Sequence, residues 1–392
     1  MVAAPPTAED SRRTALRFVV LLGVVSLLAD ATYEGSRSVT GPYLAVLGAS
    51  ATAVGVVAGL GELVGYALRL VSGRLADRTR RYWAITITGY VVNLAAVPAL
   101  ALAGHWTTAA ALVVAERVGK AIRTPARDAM LSHATQQVGR GYGFGLHEAL
   151  DQVGAVLGPL VVAAAVGTRG TYRDGFVLLI VPAALALGVL VVARRLYPRP
   201  RDLDVATPPL APAGLGRRFW LYVAAVALVG AGYADFALIA FHFEARAVVP
   251  ATWIPLFYAL AMGADAVAAL GLGRWFDRAG VTVLVPATLL GAGFVPLAFL
   301  GSPTLALAGV LLWGVGLGAQ ESIMRAAVAE MAPADRRGAA YGALNAAYGI
   351  AWFLGSALMG ALYDRAVAAV VVFSLAAQLA AVPLFVVVRR RG

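Results

Sequence analysis

The chain has 392 residues, of which 60% are hydrophobic and only 14% are charged, and its mean hydropathy is +0.78. Soluble globular proteins carry roughly 25% charged residues, so a soluble fold of this length could not bury so much apolar surface. Cysteine is absent and the net charge is +11. The absence of cysteine excludes disulfides and thiolate metal sites. The positive charge indicates either a nucleic-acid partner or basic cytoplasmic loops of a membrane protein, depending on where the basic residues lie.

Apolar blocks of roughly twenty residues recur along the chain, which is the length that a helix needs to cross a hydrocarbon core of about 30 Å. The first block lacks a small-residue cleavage site, so we expect a membrane span there rather than a signal peptide. Breaking the blocks at polar and Gly/Pro clusters predicts an all-α membrane protein with twelve transmembrane helices, spans 1 to 12, at 15–35, 51–73, 83–103, 107–128, 143–167, 175–194, 218–242, 251–273, 281–300, 304–330, 340–362 and 367–388.

The basic residues divide unevenly between the two sides of these spans. If the N-terminus is cytoplasmic, 26 of the 32 basic residues lie on cytoplasmic segments and Arg69 lies within span 2. The five on the outer side are Arg37, Arg169, Arg173, Arg246 and Arg365. Because cytoplasmic loops are enriched in lysine and arginine, we expect a multi-pass protein of the inner membrane with both termini in the cytoplasm. This distribution explains the net charge without a nucleic-acid partner.

The middle of the chain contains a segment rich in Pro, Asp and Arg, at 198–216. We expect a cytoplasmic linker there, between a six-helix bundle at 1–197 and a second one at 217–392. The two halves share sequence, because GRLADR at 73–78 recurs as GRWFDR at 273–278, and RGYGFG at 140–145 recurs in outline as RGAAYG at 337–342. Such internal repeats are typical of secondary transporters and predict two bundles related by pseudo-two-fold symmetry.

The loop after span 2 carries a recognisable signature. It follows the pattern G-x-L-x-D-R-x-G-R through Gly73, Leu75, Asp77, Arg78 and Arg81, and the loop after span 8 repeats Gly273, Asp277, Arg278 and Gly280. With these motifs and the internal repeat, nearly the whole chain resembles the major facilitator superfamily. The departures are Arg80, where the family usually has glycine, and Tyr82, where it usually has a basic residue.

The chemistry of these loops suggests a conformational latch. A carboxylate at a helix end, close to arginines and other helix termini, can form charge-assisted bonds in one arrangement of the bundle and lose them in another. The alternative is that these are ordinary anchoring charges at the membrane surface. The repeat favours the latch, whose candidate residues are Gly73, Asp77, Arg78, Arg81, Gly273, Asp277 and Arg278.

Span 5 contains Gly154, Gly158 and Pro159. This run resembles the glycine-proline signature of the superfamily's proton-coupled drug and small-molecule exporters, although Val161 and Val162 replace the usual following glycines. Glycines four apart let two helices approach closely, and a proline permits a bend. Helix packing alone would explain the same residues.

Span 4 carries charges at helical spacing. Glu116, Lys120, Arg123 and Arg127 are separated by four, three and four residues and share one face. Lys120 is the chain's one lysine. Arg117 lies on the adjoining face and resembles the span 4 arginine that facilitators use in proton coupling, although Ala121 replaces the glycine that usually follows it. An ionisable residue within a span is a functional hypothesis by default.

Span 5 begins with His147, Glu148 and Asp151 on one face. This acidic start could neutralise the basic end of span 4, either as a static ion-pair network or as part of ion coupling. The corresponding turn in the second half has Asn345 and Tyr348 instead. Because symmetric packing alone does not require that asymmetry, it favours ion coupling or recognition of substrate charge in the first half.

Further carboxylates lie in other spans. Asp30 and Glu62 fall near the middle of the membrane by residue count, where a carboxylate can take up and release protons. Glu34 and Asp235 fall nearer the outer edge, where a solvated helix end is the simpler interpretation. The second half adds Asp265 and Glu321. The candidate proton-coupling or substrate-binding residues are Asp30, Glu34, Glu62, Arg117, Lys120, Arg123, His147, Glu148, Asp151 and Glu321.

These observations predict a secondary active transporter that exports a small organic solute in exchange for protons. The alternative is an importer or exchanger of an anionic solute that binds the basic residues of span 4. An enzyme is disfavoured, because the sequence has no nucleotide-binding loop, no Ser/His/Asp spacing and no metal-ligand cluster, and its four histidines are dispersed. We expect a monomer in membrane lipid, without cofactor, metal or nucleic acid.

Overall fold

The computed structural model describes residues 8–198, 215–332 and 337–390. The predicted linker therefore lies almost entirely outside the described residues. The described residues form the twelve predicted spans, and four of these consist of two helical segments. The spans are Ala8–Val46, Ala51–Thr79, Tyr82–Ala99, Trp106–Val138, Arg140–Arg169, Tyr172–Leu178 with Ile180–Leu196, Arg217–Gly232 with Phe236–Ala245, Trp253–Ala279, Leu284–Ala292 with Phe294–Leu300, Pro303–Glu321 with Ile323–Met331, Arg337–Tyr363 and Val367–Arg390. The predicted fold class is confirmed.

Two features of these helices differ from the hydropathy pattern. Span 1 has 39 residues, or roughly 58 Å at 1.5 Å per residue, so it extends well beyond a hydrocarbon core of about 30 Å. Span 4 does not qualify as a membrane helix by hydropathy, whereas ten other stretches of the described chain do. Its charges lower its hydropathy, so its place in the membrane depends on protein neighbours that can pair them.

Each half packs in the same order. Span 1 lies against spans 5 and 6, and span 7 lies against spans 11 and 12. Span 4 packs on spans 2 and 3, and span 10 packs on spans 8 and 9. The twelve spans therefore form two six-helix bundles with a repeated internal arrangement, as the sequence repeat predicts.

One pair of close helix contacts repeats between the halves. A Cβ atom on Gly158 of span 5 would lie 2.1 Å from the carbonyl oxygen of Ala31, and one on Gly355 of span 11 would lie 2.0 Å from that of Ala231. Gly158 and Gly355 are 197 residues apart, the same separation as Arg140 and Arg337. In each half, the glycine therefore lets the fifth helix touch the backbone of the first helix of that half.

The two halves meet at one face of the molecule, here called the far face, which carries the loops at 47–50, 246–252 and 364–366. Asp364 of the second half accepts hydrogen bonds from the backbone nitrogens of Ala51 and Thr52, at 3.1 and 3.0 Å, and from the Thr52 hydroxyl at 2.5 Å. It thus caps the N-terminus of span 2 in the other half. A Cβ on Gly55 would lie 2.3 Å from the Ser356 carbonyl oxygen, so spans 2 and 11 touch there.

The opposite face carries the loops at 80–81, 139 and 280–283 and is called here the arginine-rich face. At this end of span 5, Phe144, Gly145 and Glu148 are exposed. A Cβ placed on Gly65, Gly145 or Gly342 would meet no atom within 4 Å. Because the same spans are tightly packed at the far face, the bundle is closed there and open toward the arginine-rich face.

The repeated glycine contact is testable by adding one methyl group. Gly158→Ala and Gly355→Ala should each lower the free energy of unfolding by about 1–3 kcal/mol, because a methyl group would overlap a backbone carbonyl. Gly188→Ala in span 6 is the control, since a Cβ there meets nothing within 4 Å. Thermal unfolding in detergent measures all three. Equal stability of Gly158→Ala and Gly188→Ala would contradict the close approach.

The candidate site is a charged central cavity

A cavity of about 660 Å³ lies between the two halves. It reaches the arginine-rich end of span 5, where Phe144, Gly145 and Glu148 line it and are exposed. All ten residues predicted for proton coupling or substrate binding line this cavity. Its volume is in the range of small-molecule sites, about 300–1,000 Å³. The structure thus brings the candidates together, and their individual roles stay predictions.

The part of the cavity toward the arginine-rich face contains an ion-pair network between spans 4 and 5. Arg127 lies 2.8 Å from Asp128 and 3.9 Å from Asp151, and His147 lies 3.6 Å from Asp151. Ser26 of span 1 accepts a hydrogen bond from Arg127 at 2.9 Å and lies 3.2 Å from His147 Nε2. The acidic start of span 5 therefore meets the basic end of span 4, as their spacing suggested. Glu148 is exposed and has no ion pair among the described residues.

Asp30 occupies the middle of the first half. Its Oδ1 lies 3.7 Å from Arg123 Nη2, and its Oδ2 accepts a hydrogen bond of 3.3 Å from Tyr33. Arg123 is fully buried and stacks on Tyr90, with the guanidinium carbon 4.3 Å from the ring centroid. The Arg123 Nε and Nη1 atoms have no hydrogen-bond partner. Asp30 is thus held by one ion pair and one hydrogen bond from a hydroxyl group. Its partner Arg123 retains two nitrogens without a hydrogen-bond partner.

Lys120 interacts with an aromatic ring rather than with a close carboxylate. Its ammonium lies 3.6 Å from the centroid of the Tyr33 ring, a cation–π contact. No described carboxylate lies within 4 Å of it. Glu116, predicted to share its face, instead accepts a 2.7 Å hydrogen bond from Asn93 and lies 3.4 Å from Arg117, outside the cavity lining. The buried amide of span 3 therefore draws Glu116 away from the cavity.

The part of the cavity toward the far face contains a second network, centred on Arg37. Arg37 lies 3.1 Å from Asp235, 3.3 Å from Glu62 and 4.0 Å from Glu34. Glu62 is also 3.3 Å from Arg117. Tyr258 of the second half donates a hydrogen bond to Glu34. We call these residues the far-side network, which joins the two halves through Asp235 and Tyr258.

Three predictions about this region are wrong. Arg37 does not lie in an outer loop but within the helix of span 1, and Glu34 and Asp235 are not solvated helix ends, because all three are buried or nearly so. The error has two causes. Span 1 is long enough to carry residues 34 and 37 past the assumed membrane edge as buried helix. Span 7 breaks at residues 233–235, where Asp235 caps the segment Phe236–Ala245 by accepting a hydrogen bond from Ala237 at 3.0 Å.

A signal for this break is present in the sequence. An aspartate directly before the apolar run Phe-Ala-Leu-Ile is a typical helix N-cap. Broken transmembrane helices are tolerated where they line a cavity, and such breaks mark binding sites in transporters.

Asp265 lines the cavity and is also missing from the predicted set. It lies in span 8, is almost fully buried and accepts a 3.4 Å hydrogen bond from Gln152 of span 5. Its Oδ1 has no hydrogen-bond partner. The sequence identified it as a carboxylate within a span but offered no neighbour for it, because span 8 has no other charge near it.

The candidate latch lies at the arginine-rich face. Asp77 and Asp277 are exposed, and neither forms an ion pair with any residue that the structure describes. Span 2 ends at Arg80 in the left-handed region, with φ 57°, a conformation that favours the glycine usual at this position. An ideal Cβ atom on Gly73 would lie 3.5 Å from the Cβ atom of Pro125 in span 4. In a bundle that is open on this side, the bonds of a latch would be broken, as the unpaired Asp77 and Asp277 of the described chain are. The latch stays a prediction.

Span 5 gives its glycines a packing role. Ideal Cβ atoms on Gly154 and Gly158 would collide with the span 1 backbone at Leu27 and Ala31, and the helix Arg140–Arg169 continues through Pro159. Packing therefore accounts for the glycines of this motif. Its link with export stays a prediction.

The connection between halves through Arg37 and Asp235 is testable with a double-mutant cycle. Arg37→Gln and Asp235→Asn should show a coupling free energy of about 1–3 kcal/mol, because Arg37→Gln leaves the buried Asp235 without a close cation and Asp235→Asn removes the shortest ion pair of Arg37. Denaturant unfolding in detergent provides the free energies. Arg173→Gln with Asp235→Asn is the control, since Arg173 instead donates a 2.9 Å hydrogen bond to the Ala103 carbonyl, and this pair should be additive. A coupling below about 0.5 kcal/mol for Arg37 and Asp235 would contradict the network.

Known proteins share this architecture. Residues 22–356 match the model of the Major Facilitator Superfamily. The chain is 45% identical over 383 residues to an uncharacterized protein of Mycobacterium tuberculosis, an alignment that covers 96% of this chain and 94% of that protein.

Two solved transporters have the same fold. The nucleoside transporter NupG superposes with a TM-score of 0.75 at 13% identity, covering 95% of this chain and 98% of that one. The peptide transporter POT in complex with sulfate superposes with a TM-score of 0.70 at 15% identity, covering 95% and 93%. The chain therefore belongs to the Major Facilitator Superfamily, as a multi-pass membrane transporter of small solutes and not an enzyme.

Proposed function

We propose that the protein is a secondary transporter of the inner membrane that exports a small organic solute in exchange for protons. The observation that supports this most is the central cavity, closed at the far face, open to the arginine-rich face and lined by buried carboxylates. In this proposal the arginine-rich face and both termini are cytoplasmic. The protein works as a monomer in lipid, and residues 1–197 rock against 217–392 about the linker at 198–216.

Asp30 is the carboxylate best suited to carry the proton. Protonating Glu62 would deprive both Arg37 and Arg117 of a partner at 3.3 Å. Protonating Asp30 affects one arginine, Arg123, which keeps its contact with Tyr90. Breaking a buried ion pair is costly, so a group that must change charge in every cycle is better placed where fewer cations depend on it. In our proposal, Glu62 organises the cavity and Asp30 exchanges protons.

The proton role predicts distinct results for two substitutions. Asp30→Asn should abolish transport driven by a pH gradient while retaining exchange of labelled for unlabelled solute, because the neutral amide keeps the shape but carries no proton. Glu62→Gln should impair both activities, because Arg37 and Arg117 then lose their shared carboxylate. Flux assays in proteoliposomes, with and without a pH gradient, measure both. Wild-type flux that is indifferent to the gradient would rule out proton coupling.

A second function is favoured by one observation on span 4. Lys120 has no described carboxylate within 4 Å, and Arg123 has two nitrogens without a hydrogen-bond partner. Such groups could bind an anionic solute, which would make the protein an importer or exchanger of anions. We prefer the exporter, because Arg117 and Arg127 have close carboxylate partners, and Lys120 lies on Tyr33.

Substitution of these two cations separates the alternatives. In an exporter, Lys120→Ala and Arg123→Ala should change the pH dependence of transport more than the affinity for substrate. In an anion transporter, both should weaken substrate binding by roughly 1.5–3 kcal/mol at every pH, the scale of a hydrogen bond to a charged group. Binding isotherms and flux measured from pH 5 to pH 8 distinguish the two. An anionic substrate, with an unmoved pH profile in both variants, would overturn the exporter.

A further inference from the structure

The two walls of the cavity differ in charge. Within the described part of the chain, the first half contributes equal numbers of acidic and basic side chains to the lining. The second half contributes two carboxylates and no lysine or arginine. The carboxylates of the second half are Asp265 and Glu321. The acidic and basic side chains of the first wall thus balance in number, whereas Asp265 of the second wall has no ion pair among the described residues.

Asp265 is the buried carboxylate of the cavity lining that has no ion pair among the described residues. It is only 2% exposed, and its one described hydrogen bond is the long contact of 3.4 Å from Gln152. An ionised carboxylate away from water needs a positive partner, and no described side chain supplies one. A cationic ligand in the cavity would supply it.

The cavity extends beside Asp265 into an aromatic lobe, defined by Tyr66, Tyr348 and Trp352. Tyr66 and Tyr348 meet edge to face with centroids 5.7 Å apart, and Tyr348 and Trp352 are 5.4 Å apart. Leu317 lines both the lobe and the main cavity next to Asp265. The Trp352 indole nitrogen is buried without a hydrogen-bond partner. Aromatic faces attract both apolar rings and organic cations.

We propose that the transported solute is an organic cation, a protonated amine attached to an apolar ring, whose charged group binds Asp265 and whose ring lies against the aromatic lobe. This inference rests on the proposed transport function and adds the class of substrate. An anion would meet the two carboxylates of the second half. A neutral solute would leave Asp265 without a positive partner.

Matched ligands test the charge preference. Each set shares one aromatic skeleton (phenyl, naphthyl or biphenyl) and carries an aminoethyl, a hydroxyethyl, a carboxyethyl or an alanine side chain, so that the ring is constant and the charge varies. Amines should raise the melting temperature of the wild-type protein in detergent more than the other three classes. In Asp265→Asn, amine binding should weaken roughly 10- to 100-fold, as expected for loss of a charge-assisted bond. Alcohol binding should be unchanged.

Two controls isolate the carboxylate. Asp265→Glu keeps the charge and should keep the preference for amines. Asp174→Asn removes a half-buried carboxylate at the far face, outside the cavity lining, which accepts a 2.6 Å hydrogen bond from Thr171. This variant should bind amines like the wild type. If Asp265→Asn does not fold, Met262→Cys serves instead, because Met262 lines the same wall and the chain has no cysteine of its own. Amines should then slow maleimide labelling of the introduced thiol, and alcohols should not.

The proposal fails if amines bind no better than their neutral isosteres, if propionates or amino acids bind best, or if Asp265→Asn leaves amine affinity unchanged. The proposed function fails on a separate measurement, the flux of the best-binding amine with and without a pH gradient. If flux does not respond to the pH gradient but amine binding still depends on Asp265, proton coupling is rejected and the cation site is retained. If flux responds to the pH gradient but amine binding does not depend on Asp265, the cation site is rejected and proton coupling is retained.

Discussion

Each charge within a hydrocarbon layer has to find its partner inside the protein, and this constraint organises the molecule. Span 4 carries too many charges to be stable against lipid, so spans 1, 2, 3 and 5 surround it with carboxylates, aromatic rings and an amide. Arg127 meets Asp151, Arg123 meets Asp30, and Arg117 meets Glu62. The cavity lies where these groups converge. A polar cavity between the two bundles is thus the consequence of burying so many ionisable side chains together.

The same constraint joins the halves. Arg37 belongs to the first half, yet its shortest ion pair, of 3.1 Å, is to Asp235 of the second. Further toward the far face, Asp364 caps span 2, and glycines bring spans 2 and 11 into backbone contact. In the proposed rocking motion, closing the arginine-rich face would require these contacts to open. The proposal therefore requires the opposite state to replace the polar bonds seen here. Asp77 and Asp277, which form no ion pair within the described ranges, lie where replacement bonds could form.

Sequence reasoning predicted the spans, the internal repeat and a set of ten cavity residues, because hydropathy, helical spacing and repeated motifs are local properties. It failed for Arg37, Glu34 and Asp235, because residue counting equates the end of an apolar block with the edge of the membrane. Span 1 continues as a buried helix past that edge, and the break in span 7 carries Asp235 into the interior. It also left Asp265 unassigned, since no pattern within span 8 shows that its surroundings lack a cation. Whether a cation lies near Asp265 depends on which helices pack against span 8, and the sequence of span 8 alone does not contain that information.

The central claim is that the halves exchange contacts at one face for contacts at the other. Because the chain contains no cysteine, spin labels can be placed on Val46→Cys and Arg365→Cys at the far face, and on Arg74→Cys and Arg274→Cys at the arginine-rich face. Electron–electron resonance distances are then compared with and without Asp364→Ala, which removes the cap between the halves. The account predicts that the far-face distance lengthens and the arginine-rich distance shortens in the same fraction of molecules. Two distances that stay unchanged, or that change in the same direction, would contradict it.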